Sequence, residues 1–442
     1  MGHHTVIIGG GFAGIAAAVQ LAQAGIRVTL LETKSFLGGR TYSIRDRKSG
    51  DVIDNGQHIL MGCYHQTMEL LRMLGTQDGI YFQDRLSVYY RDGEENYDEL
   101  NCPALPGPLH LLGGLLRMKS LTLQDKWAAV RMGLALKNPA SVQDSESVDA
   151  FCNRLRQTPA IREKMWDPIA ISALNETTER ADMKIFREVL AQAFFGSADD
   201  SRLGLPRVPL QELHGEAARR FIEERGGLVR LNERVERILC QGALVKGVIL
   251  TTGERIPCES CISAASANHL KTILEHSALA EQIAVPDLGA SPIVSVYLWF
   301  EEPLATEAVC CTPRCTFEWI FHRNHFVREG EHEKQCVCLV ASAARRFQSW
   351  SREQIIEAAI ADLHRLYPHS RRQKALSATV FWEPRATFSA TPENVRKRLP
   401  SQTVLPNFFL AGDWTDTGLP ATIEGAVQSG FMAAELLLRS GY

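Results

Sequence analysis

The stretch Thr5-Val6-Ile7-Ile8-Gly9-Gly10-Gly11-Phe12-Ala13-Gly14 decides the fold of this chain. Its apolar first half predicts a short strand, and its glycines predict a tight turn that opens into a helix over 15–22. A second apolar run over 27–31 ends at Glu32 and predicts a second strand beside the first. The order of strand, glycines, helix, strand and acid predicts a βαβ unit that binds a dinucleotide.

Three of these glycines, Gly9, Gly11 and Gly14, occupy the places of the G-x-G-x-x-G pattern. Gly9 permits the tight turn, Gly11 lets the main chain approach a pyrophosphate, and Gly14 lets the helix pack closely on the strand. The N–H groups at the start of the helix offer partial positive charge to the phosphates. The Glu32 carboxylate can accept hydrogen bonds from ribose hydroxyls. The pattern alone does not distinguish NAD from FAD.

Two further segments favour FAD over NAD. The loop at 37–40, Leu-Gly-Gly-Arg, can bring backbone and a guanidinium to the same diphosphate. Near the carboxyl end, a predicted strand ends at Asp413, and Pro420 precedes a predicted helix. The start of that helix can face the negative end of a reduced isoalloxazine, and Asp413 can bind the ribitol chain. NAD does not require this second end, whereas an FAD stretched across one domain does.

The composition is that of a globular protein. The chain has 442 residues, of which 45% are hydrophobic and 22% are charged, and this length predicts roughly two or three domains. With 48 Lys and Arg against 51 Asp and Glu, the net charge is −3. Because no general positive field is present, nucleic acid is not expected as a partner.

The cysteines and apolar runs indicate the compartment. The cysteines are scattered and no leader precedes the first predicted strand, which favours free thiols in a reducing cytoplasm. Cys258 and Cys261 form a C-x-x-C without a second pair at zinc-finger spacing, so no metal site is predicted. No apolar run reaches the about 18 residues of a transmembrane helix. We therefore expect a cytoplasmic protein that binds the cytoplasmic membrane only peripherally.

Three blocks of sequence, at 54–64, 385–392 and 411–426, resemble the superfamily of FAD-dependent amine oxidases and carotenoid desaturases. Within it they look like the squalene-associated FAD-dependent desaturases, the hydroxysqualene dehydroxylases of hopanoid synthesis. The resemblance implies FAD as cofactor, a hydrophobic polyprenyl substrate, and reduction of hydroxysqualene to squalene through reduced flavin. The reductant would be an external one, either a transiently bound pyridine nucleotide or another reductase.

The resemblance also implies which residues hold the cofactor. They comprise the glycine-rich turn, the Gly-Gly-Arg loop, part of the block at 54–64, a backbone position at the adenine, and the start of the last helix. In this sequence they are Gly9, Gly11, Gly14, Glu32, Gly39, Arg40, Gly56, Gln57, Val235, Gly412, Asp413, Thr422 and Ile423.

Two side chains are the main candidates for chemistry beside the flavin. Removal of an allylic hydroxyl requires protonation of the leaving group or assistance by water. His58, which the resemblance places at the flavin, can donate that proton if its pKa lies near neutrality, or can hydrogen-bond backbone or flavin instead. Glu424 at the start of the last helix and Glu383 are alternatives, although a carboxylate in the place of Glu424 tends to stay ionised and suits binding.

The predicted fold class is α/β, with a Rossmann-like FAD-binding domain of the glutathione-reductase and amine-oxidase type and an inserted α+β substrate domain. Residues 76–209 and 291–384 are expected to form the substrate domain, and their apolar side chains are expected to line a tunnel. The FAD-binding domain is expected to be discontinuous, with segments at 1–75, 210–290 and 385–442.

Residues 103–137 predict a pair of helices whose apolar residues recur at helical spacing. Basic residues accompany them, with Asp125 as the one acid. Two interpretations remain open, namely a basic amphipathic pair that lies on an anionic membrane surface and core helices with one solvated face. The apolar positions are Leu105, Leu109, Leu112, Leu116, Leu123, Trp127, Val130 and Leu134, and the basic ones are Arg117, Lys119, Lys126, Arg131 and Lys137.

Three other functions are weighed on the same fold. A carotenoid-type desaturase, such as a phytoene desaturase, would act on a similar polyene in the opposite redox direction. An amine oxidase is less favoured because no aromatic pair is evident beside the flavin. A non-enzymatic prenyl-lipid carrier is less favoured because the glycine-rich turn, Glu32 and Asp413 are intact.

Overall fold

The computed structural model describes residues 3–327 and 334–441. The strands in chain order are β1 (His4–Ile8), β2 (Arg27–Leu31), β3 (Ser43–Arg45), β4 (Val52–Asp54), β5 (Leu60–Met61), β6 (Ile80–Phe82), β7 (Ser87–Arg91), β8 (Tyr97–Asn101), β9 (Leu203–Pro206), β10 (Leu228–Arg230), β11 (Val235–Gln241), β12 (Leu244–Leu250), β13 (Arg255–Pro257), β14 (Ser260–Ser263), β15 (Ser291–Phe300), β16 (Val309–Cys311), β17 (Trp319–His322), β18 (Gln335–Ala341), β19 (Ser377–Thr387) and β20 (Phe408–Leu410). The helices are α1 (Phe12–Gln23), α2 (His65–Leu74), α3 (Leu109–Arg117), α4 (Leu123–Leu136), α5 (Val148–Arg154), α6 (Pro159–Ile161), α7 (Asp167–Leu174), α8 (Met183–Phe194), α9 (Leu210–Glu224), α10 (Ala267–His276), α11 (Arg352–Leu366), α12 (Pro392–Arg396) and α13 (Ile423–Arg439).

A five-stranded parallel sheet forms the first layer, with its strands in the order β10-β2-β1-β14-β20. In the central strand, Ile7 lies opposite Leu30 of β2 and opposite Ile262 of β14. All three side chains are fully buried, which is why these strands read as apolar runs in the sequence. The sheet takes its strands from the beginning, the middle and the end of the chain.

Helices α1 and α13 pack closely against each other beside this sheet. The side chains of Ala16, Ala17 and Val19 are fully buried, and small residues of this kind let two helices approach. A Cβ atom on Gly430 would lie 2.2 Å from the carbonyl oxygen of Ala13. The last helix of the chain therefore touches the backbone of the first.

A seven-stranded sheet forms the second layer, with its strands in the order β19-β15-β18-β17-β16-β7-β8. Side chains along β15 alternate between two cores, because successive residues of a strand point to opposite faces. Val296 and Leu298 belong to the core that α11 covers. Tyr297 and Trp299 belong to the main core of the molecule.

The predicted fold class is confirmed, since a Rossmann-like parallel sheet is combined with a second, mixed layer of strands and helices. The predicted domain boundary between residues 384 and 385 falls inside β19, where Thr387 still pairs with Ser291. An irregular register near Ile293 lets the two strands stay paired, and no alternation of the sequence marks such a point. The division into domains otherwise stays a prediction.

Candidate functional site

The turn between β1 and α1 has the form of an anion site. Gly9 has a φ of +102°, and a Cβ atom on Gly14 would lie 1.9 Å from the carbonyl oxygen of Gly9. Both positions therefore require glycine. Helix α1 begins after Gly11 with no side-chain cap and no acidic residue in its first turn. No acidic side chain of its own first turn thus competes for the N–H groups of α1, which suits a diphosphate.

Glu32 is held at the end of β2 by the neighbouring backbone. Its Oε2 accepts a hydrogen bond from the Gly10 N–H at 2.7 Å, and its Oε1 accepts one from the Lys34 N–H at 2.8 Å. The backbone N–H of Glu233 donates to the Glu32 carbonyl oxygen at 2.8 Å, two residues before Val235 opens β11. The two residues predicted for the adenosine end therefore lie on adjoining segments.

The Gly-Gly-Arg loop lies directly over the first glycine-rich turn. The Gly38 N–H donates to the Gly10 carbonyl oxygen at 2.7 Å, and a Cβ atom on Gly39 would lie 3.1 Å from the Gly11 Cα atom. Behind the loop lies His214, which is fully buried and whose Nδ1 has no hydrogen-bond partner. Burial lowers the pKa of His214 to about 3, so this imidazole is neutral.

Arg40 joins the three parts of the sequence that were singled out for the cofactor. Its Nη2 donates to Asp413 Oδ1 at 2.6 Å, and its Nη1 donates to the Ala386 carbonyl oxygen at 2.6 Å. The Asn55 side-chain amide in turn donates to the Arg40 carbonyl oxygen at 2.7 Å. The loop at 37–40, the block that contains Asn55 and the carboxyl-terminal block thus meet at Arg40, through its backbone carbonyl and its guanidinium.

Gly56 and Gln57 connect the segment around Arg40 to the seven-stranded sheet. A Cβ atom on Gly56 would lie 2.8 Å from the Ser295 hydroxyl of β15. The Gln57 Nε2 donates to the His58 carbonyl oxygen at 3.1 Å, and its Oε1 accepts from Arg323 Nη1 at 2.8 Å. Sequence reasoning gave no role to Arg323, because 266 residues separate it from Gln57.

The start of α13 contains two further residues that are predicted to hold the cofactor, Thr422 and Ile423. Thr422 caps the helix, since its hydroxyl accepts a hydrogen bond from the Gly425 N–H at 3.1 Å, and Ile423 is the first helical residue. Gly412 has a φ of +137°, and its N–H donates to the Ser429 hydroxyl at 2.7 Å. The turn before the helix is therefore tied to the helix itself.

His58 is arranged as a hydrogen-bond acceptor rather than as an acid. Its Nδ1 lies 2.8 Å from the Gly56 carbonyl oxygen, and this contact requires the proton on Nδ1. Burial lowers the pKa of His58 below its ordinary value, and the charge of Asp54 opposes this only in part. Its catalytic role stays a prediction, and the neutral form leaves Nε2 with a lone pair instead of a proton to give.

Glu424 anchors α13 to α2. Its two carboxylate oxygens accept hydrogen bonds from the backbone N–H groups of Gln66 and Thr67, each at 2.9 Å, and from the Thr67 hydroxyl at 2.6 Å. Burial raises the pKa of Glu424, while these hydrogen bonds act in the opposite direction. A carboxylate with three donors suits the binding role, so its use as a catalytic acid stays a prediction that these contacts do not favour.

A cleft of about 870 Å³ opens beside Glu424, between α2, α8 and α13. Its lining mixes apolar side chains such as Met73 and Phe431 with charged ones such as Asp200 and Glu435. This cleft differs from the wholly apolar tunnel that was expected, so the tunnel stays a prediction. Over 3–327 and 334–441, no group of three or more His, Cys, Asp or Glu side chains could hold a metal ion.

The predicted pair of helices at 103–137 forms as α3 and α4, and it is apolar on two sides. Inner residues such as Leu115 and Met132 are buried in the main core. The Lys126 ammonium donates to the Leu116 carbonyl oxygen at 2.9 Å and joins the helices. Leu112 and Val130 are half-buried. The outer residues, which we call the leucine face, are exposed and comprise Leu105, Leu109, Leu116, Leu123, Trp127 and Leu134.

Large exposed apolar faces on soluble domains mark binding surfaces. Trp127 is 66% exposed and Leu123 is 75% exposed, so no part of the described chain covers them. In the described part of the chain, no helix is both long enough and apolar enough to cross a membrane.

These contacts fit an extended FAD. Glu32 and Val235, which are predicted for the adenosine end, lie on adjoining segments, and the two glycine-rich loops predicted for the diphosphate stack on each other. Arg40 pairs with Asp413, which is predicted for the ribitol chain, and the start of α13 is capped by Thr422. Backbone N–H groups for two phosphates and a carboxylate for the ribitol hydroxyls are therefore present.

Comparison with known proteins identifies one family along almost the whole chain. The family described as flavin-containing amine oxidoreductase matches residues 12–438. Hydroxysqualene dehydroxylase of Zymomonas mobilis is 26% identical over 441 residues, which cover 98% of this chain and 99% of that protein. The 15-cis-phytoene desaturase of an Oncidium hybrid cultivar is 26% identical over 476 residues, which cover 98% of this chain and 77% of that protein. A solved oxidoreductase from Methanosarcina mazei has a TM-score of 0.73 at 17% identity, covers 98% of this chain and 100% of its own, and supports the fold.

Proposed function

The chain belongs to the flavin-containing amine oxidoreductase family and is an FAD-dependent oxidoreductase, and on that premise we propose that it reduces hydroxysqualene to squalene. The observation that carries the proposal is the end-to-end match to the Zymomonas mobilis hydroxysqualene dehydroxylase, which covers 98% of this chain and 99% of that protein. The product would supply hopanoid synthesis.

The reaction replaces an allylic C–OH bond by a C–H bond and releases water. Reduced FAD supplies the hydride for the new C–H bond. The chain holds this cofactor through the stacked glycine loops and through the ion pair of Arg40 with Asp413. Apolar side chains of the second layer exclude water from the reacting carbon, which prevents loss of the hydride to solvent.

His58 orients the site rather than protonating the leaving group in this proposal. Its Nδ1–H is committed to the Gly56 carbonyl oxygen at 2.8 Å, so Nε2 can accept a hydrogen bond from the substrate hydroxyl. Such a bond would fix the C–O bond in one direction. The net proton that converts the departing hydroxide to water comes from the buffered solvent outside the site, because His58 and Glu424 are engaged in other hydrogen bonds, and Glu383 stays the alternative donor.

We further propose that the protein works on the cytoplasmic side of an anionic membrane, to which the leucine face binds. A polyprenyl substrate dissolves in lipid, so an enzyme that takes it up needs contact with the bilayer. The leucine face supplies exposed apolar side chains such as Trp127, and Arg117 and Lys119 lie at its edge. Buried apolar area and attraction to anionic lipid both favour an interfacial position.

The substrate assignment is tested with purified holoenzyme under anaerobic conditions. Protein reduced with dithionite, which stands in for the external reductant, is incubated with hydroxysqualene, and oxidised protein is incubated separately with squalene and phytoene. We expect squalene to form from hydroxysqualene in step with flavin oxidation, and no product from phytoene. Turnover of phytoene by the oxidised enzyme would overturn the proposal.

The competing candidate is a polyene desaturase, which the match to the Oncidium phytoene desaturase favours. The two functions differ in the direction of electron flow, because a desaturase needs oxidised flavin and a dehydroxylase needs reduced flavin.

An added amine that fails to reduce the flavin argues against an amine oxidase. A preparation that binds polyprenyl lipid but no flavin would point to a lipid carrier.

A further inference from the structure

Arg323 is a buried cation with a hydrogen-bond donor that the protein does not use. The residue follows β17 and is 3% exposed. Its Nη1 donates to Gln57 Oε1 at 2.8 Å, whereas its buried Nε has no partner. Its guanidinium lies 5.6 Å from the centre of the Tyr297 ring. In the part of the chain that the structure describes, no carboxylate forms an ion pair with Arg323.

Two other arginines show what a satisfied guanidinium looks like in this molecule. Arg345 donates to both oxygens of Glu176, at 2.6 and 2.8 Å. Arg398 likewise forms no ion pair with a carboxylate among the described residues, but its Nε and Nη1 donate to the carbonyl oxygens of Thr415 and Leu419 at 2.9 and 2.8 Å. Arg323 has neither arrangement.

A buried charge of this kind is costly unless another group supplies the opposite charge. The guanidinium cannot escape the cost by losing its proton, because arginine stays charged in proteins. Asp54 interacts with Arg323 through its charge, but its Oδ1 already accepts from the Ser43 hydroxyl at 2.6 Å and from the Leu210 N–H at 3.0 Å. Asp54 therefore compensates the charge from a distance without filling the free donor of Arg323, and a bound anionic group would add to that compensation.

The position of Arg323 indicates which bound group this is. Its one acceptor, Gln57, follows Gly56 in the segment that meets Arg40 through Asn55. This segment contains Gly56 and Gln57, two of the residues predicted to hold FAD. Arg323 would therefore stand one side chain away from the bound flavin.

We propose that Arg323 is a positioning residue that holds Gln57 and whose charge stabilises the reduced, anionic form of the bound flavin. The reduction FAD + 2 e⁻ + H⁺ → FADH⁻ adds one negative charge to the ring, and the electrons come from a low-potential donor. A buried unit positive charge at this range changes such an equilibrium by about tenfold or more. This inference rests on FAD as the cofactor and is independent of hydroxysqualene as the substrate.

The test is the reduction potential of the holoenzyme in Arg323→Met, measured without substrate by anaerobic dithionite titration against a reference dye. We expect the equilibrium constant for reduction to fall at least tenfold, which is about 30 mV for a two-electron couple. Arg323→Lys keeps the charge and should stay within threefold of the parent protein. The matched control Arg219→Met removes an exposed arginine that pairs only with Glu223 in the described chain, and should leave the potential unchanged.

Two results would overturn the proposal. One is a potential in Arg323→Met that equals that of Arg219→Met. The other is an equal fall in Arg323→Lys and Arg323→Met, which would mean that only the shape of the side chain matters. If Arg323→Met does not retain flavin, Gln57→Glu replaces it, since it puts a carboxylate 2.8 Å from Arg323 Nη1, and an unchanged potential there contradicts the proposal. Failure of squalene formation with a normal potential shift would instead count against the proposed substrate.

Discussion

Gly14 is the residue at which a single added carbon has the most direct effect on the cofactor site. A Cβ atom there would lie 1.9 Å from the Gly9 carbonyl oxygen, so α1 must move away from β1. The N–H groups that face the diphosphate move with the helix. The geometry of the anion site thus depends on the absence of a side chain at one position.

We predict that Gly14→Ala weakens FAD binding at least tenfold, because the start of α1 no longer lies where the diphosphate needs it. Flavin absorbance per mole of purified protein and an FAD titration of the apoprotein measure this. The control is Gly133→Ala in α4, where a Cβ atom has no neighbour within 4 Å. It should retain flavin and gain up to about 1 kcal/mol of stability. Equal flavin content in the two variants would contradict the prediction.

At the same scale, local residues could be predicted and distant contacts could not. Gly9, Gly14 and Glu32 lie in one short unit whose spacing fixes their geometry, so the sequence sufficed to identify them. Arg323 meets Gln57 across 266 residues, and no short pattern marks such a pair. The hydrogen bond that sets the His58 tautomer also depended on local backbone geometry that the sequence does not state.

Helices α3 and α4 are the elements whose role the sequence left most open. Spacing predicted both helices, but the same spacing suits a core helix and a membrane-surface helix. The structure separates the two sides, with Leu115 in the main core and Leu116 exposed. A helix that is apolar on its exposed side as well as on its buried side leaves apolar side chains in contact with water, which is unfavourable.

We predict that Leu123→Glu with Trp127→Glu abolishes flotation of the protein with anionic vesicles, because both side chains are exposed and would enter the lipid. The fold should be unaffected, since neither residue is buried. The control Val404→Glu changes an apolar residue that is 68% exposed elsewhere and should float normally. Charge reversal at Arg117 and Lys119 should weaken binding by about 1 kcal/mol per cation. Unchanged flotation in both sets of variants would rule the surface out.

At the scale of the whole molecule, Glu176 joins three distant parts of the chain. It is fully buried, and both of its oxygens accept hydrogen bonds from Arg345, at 2.6 and 2.8 Å. The Ser389 hydroxyl, which follows β19, also donates to it, and Arg180 lies within 3.7 Å. Burial alone would raise the pKa of Glu176, but the hydrogen bonds from Arg345 and Ser389 and the charge of Arg345 outweigh it, so the pKa lies below the ordinary 4.5.

We predict that Glu176→Gln lowers the free energy of unfolding by about 3 kcal/mol at neutral pH, as breaking a buried ion pair does. Because the folded-state pKa is depressed, this contribution is present above the ordinary carboxyl pKa and is lost as the pH falls through the lower, folded-state value. Denaturant unfolding between neutral and acid pH should therefore show the two proteins converging in acid. Glu393→Gln, at a carboxylate that is 70% exposed, should differ little from the parent at any pH. A gap that stays constant down to acid would contradict this account.

The layered fold could be predicted in outline, because buried parallel strands and the glycine-rich turn leave clear marks in the sequence. The cluster of hydrogen bonds and ion pairs around Glu176 could not be predicted, since it depends on side chains from three distant parts of the chain. The sequence likewise does not mark how far β19 extends. Its pairing with β15 continues past an irregularity, and pairing is a property of two strands together.

The ion pair between Arg40 and Asp413 spans 373 residues of the chain. During translation, Arg40 leaves the ribosome long before Asp413 is made, and α13 follows only after that. The nascent chain therefore cannot form this ion pair before Asp413 has been made, so we expect stable capture of the coenzyme only late in synthesis. Products of premature termination upstream of Asp413 would accumulate as colourless protein.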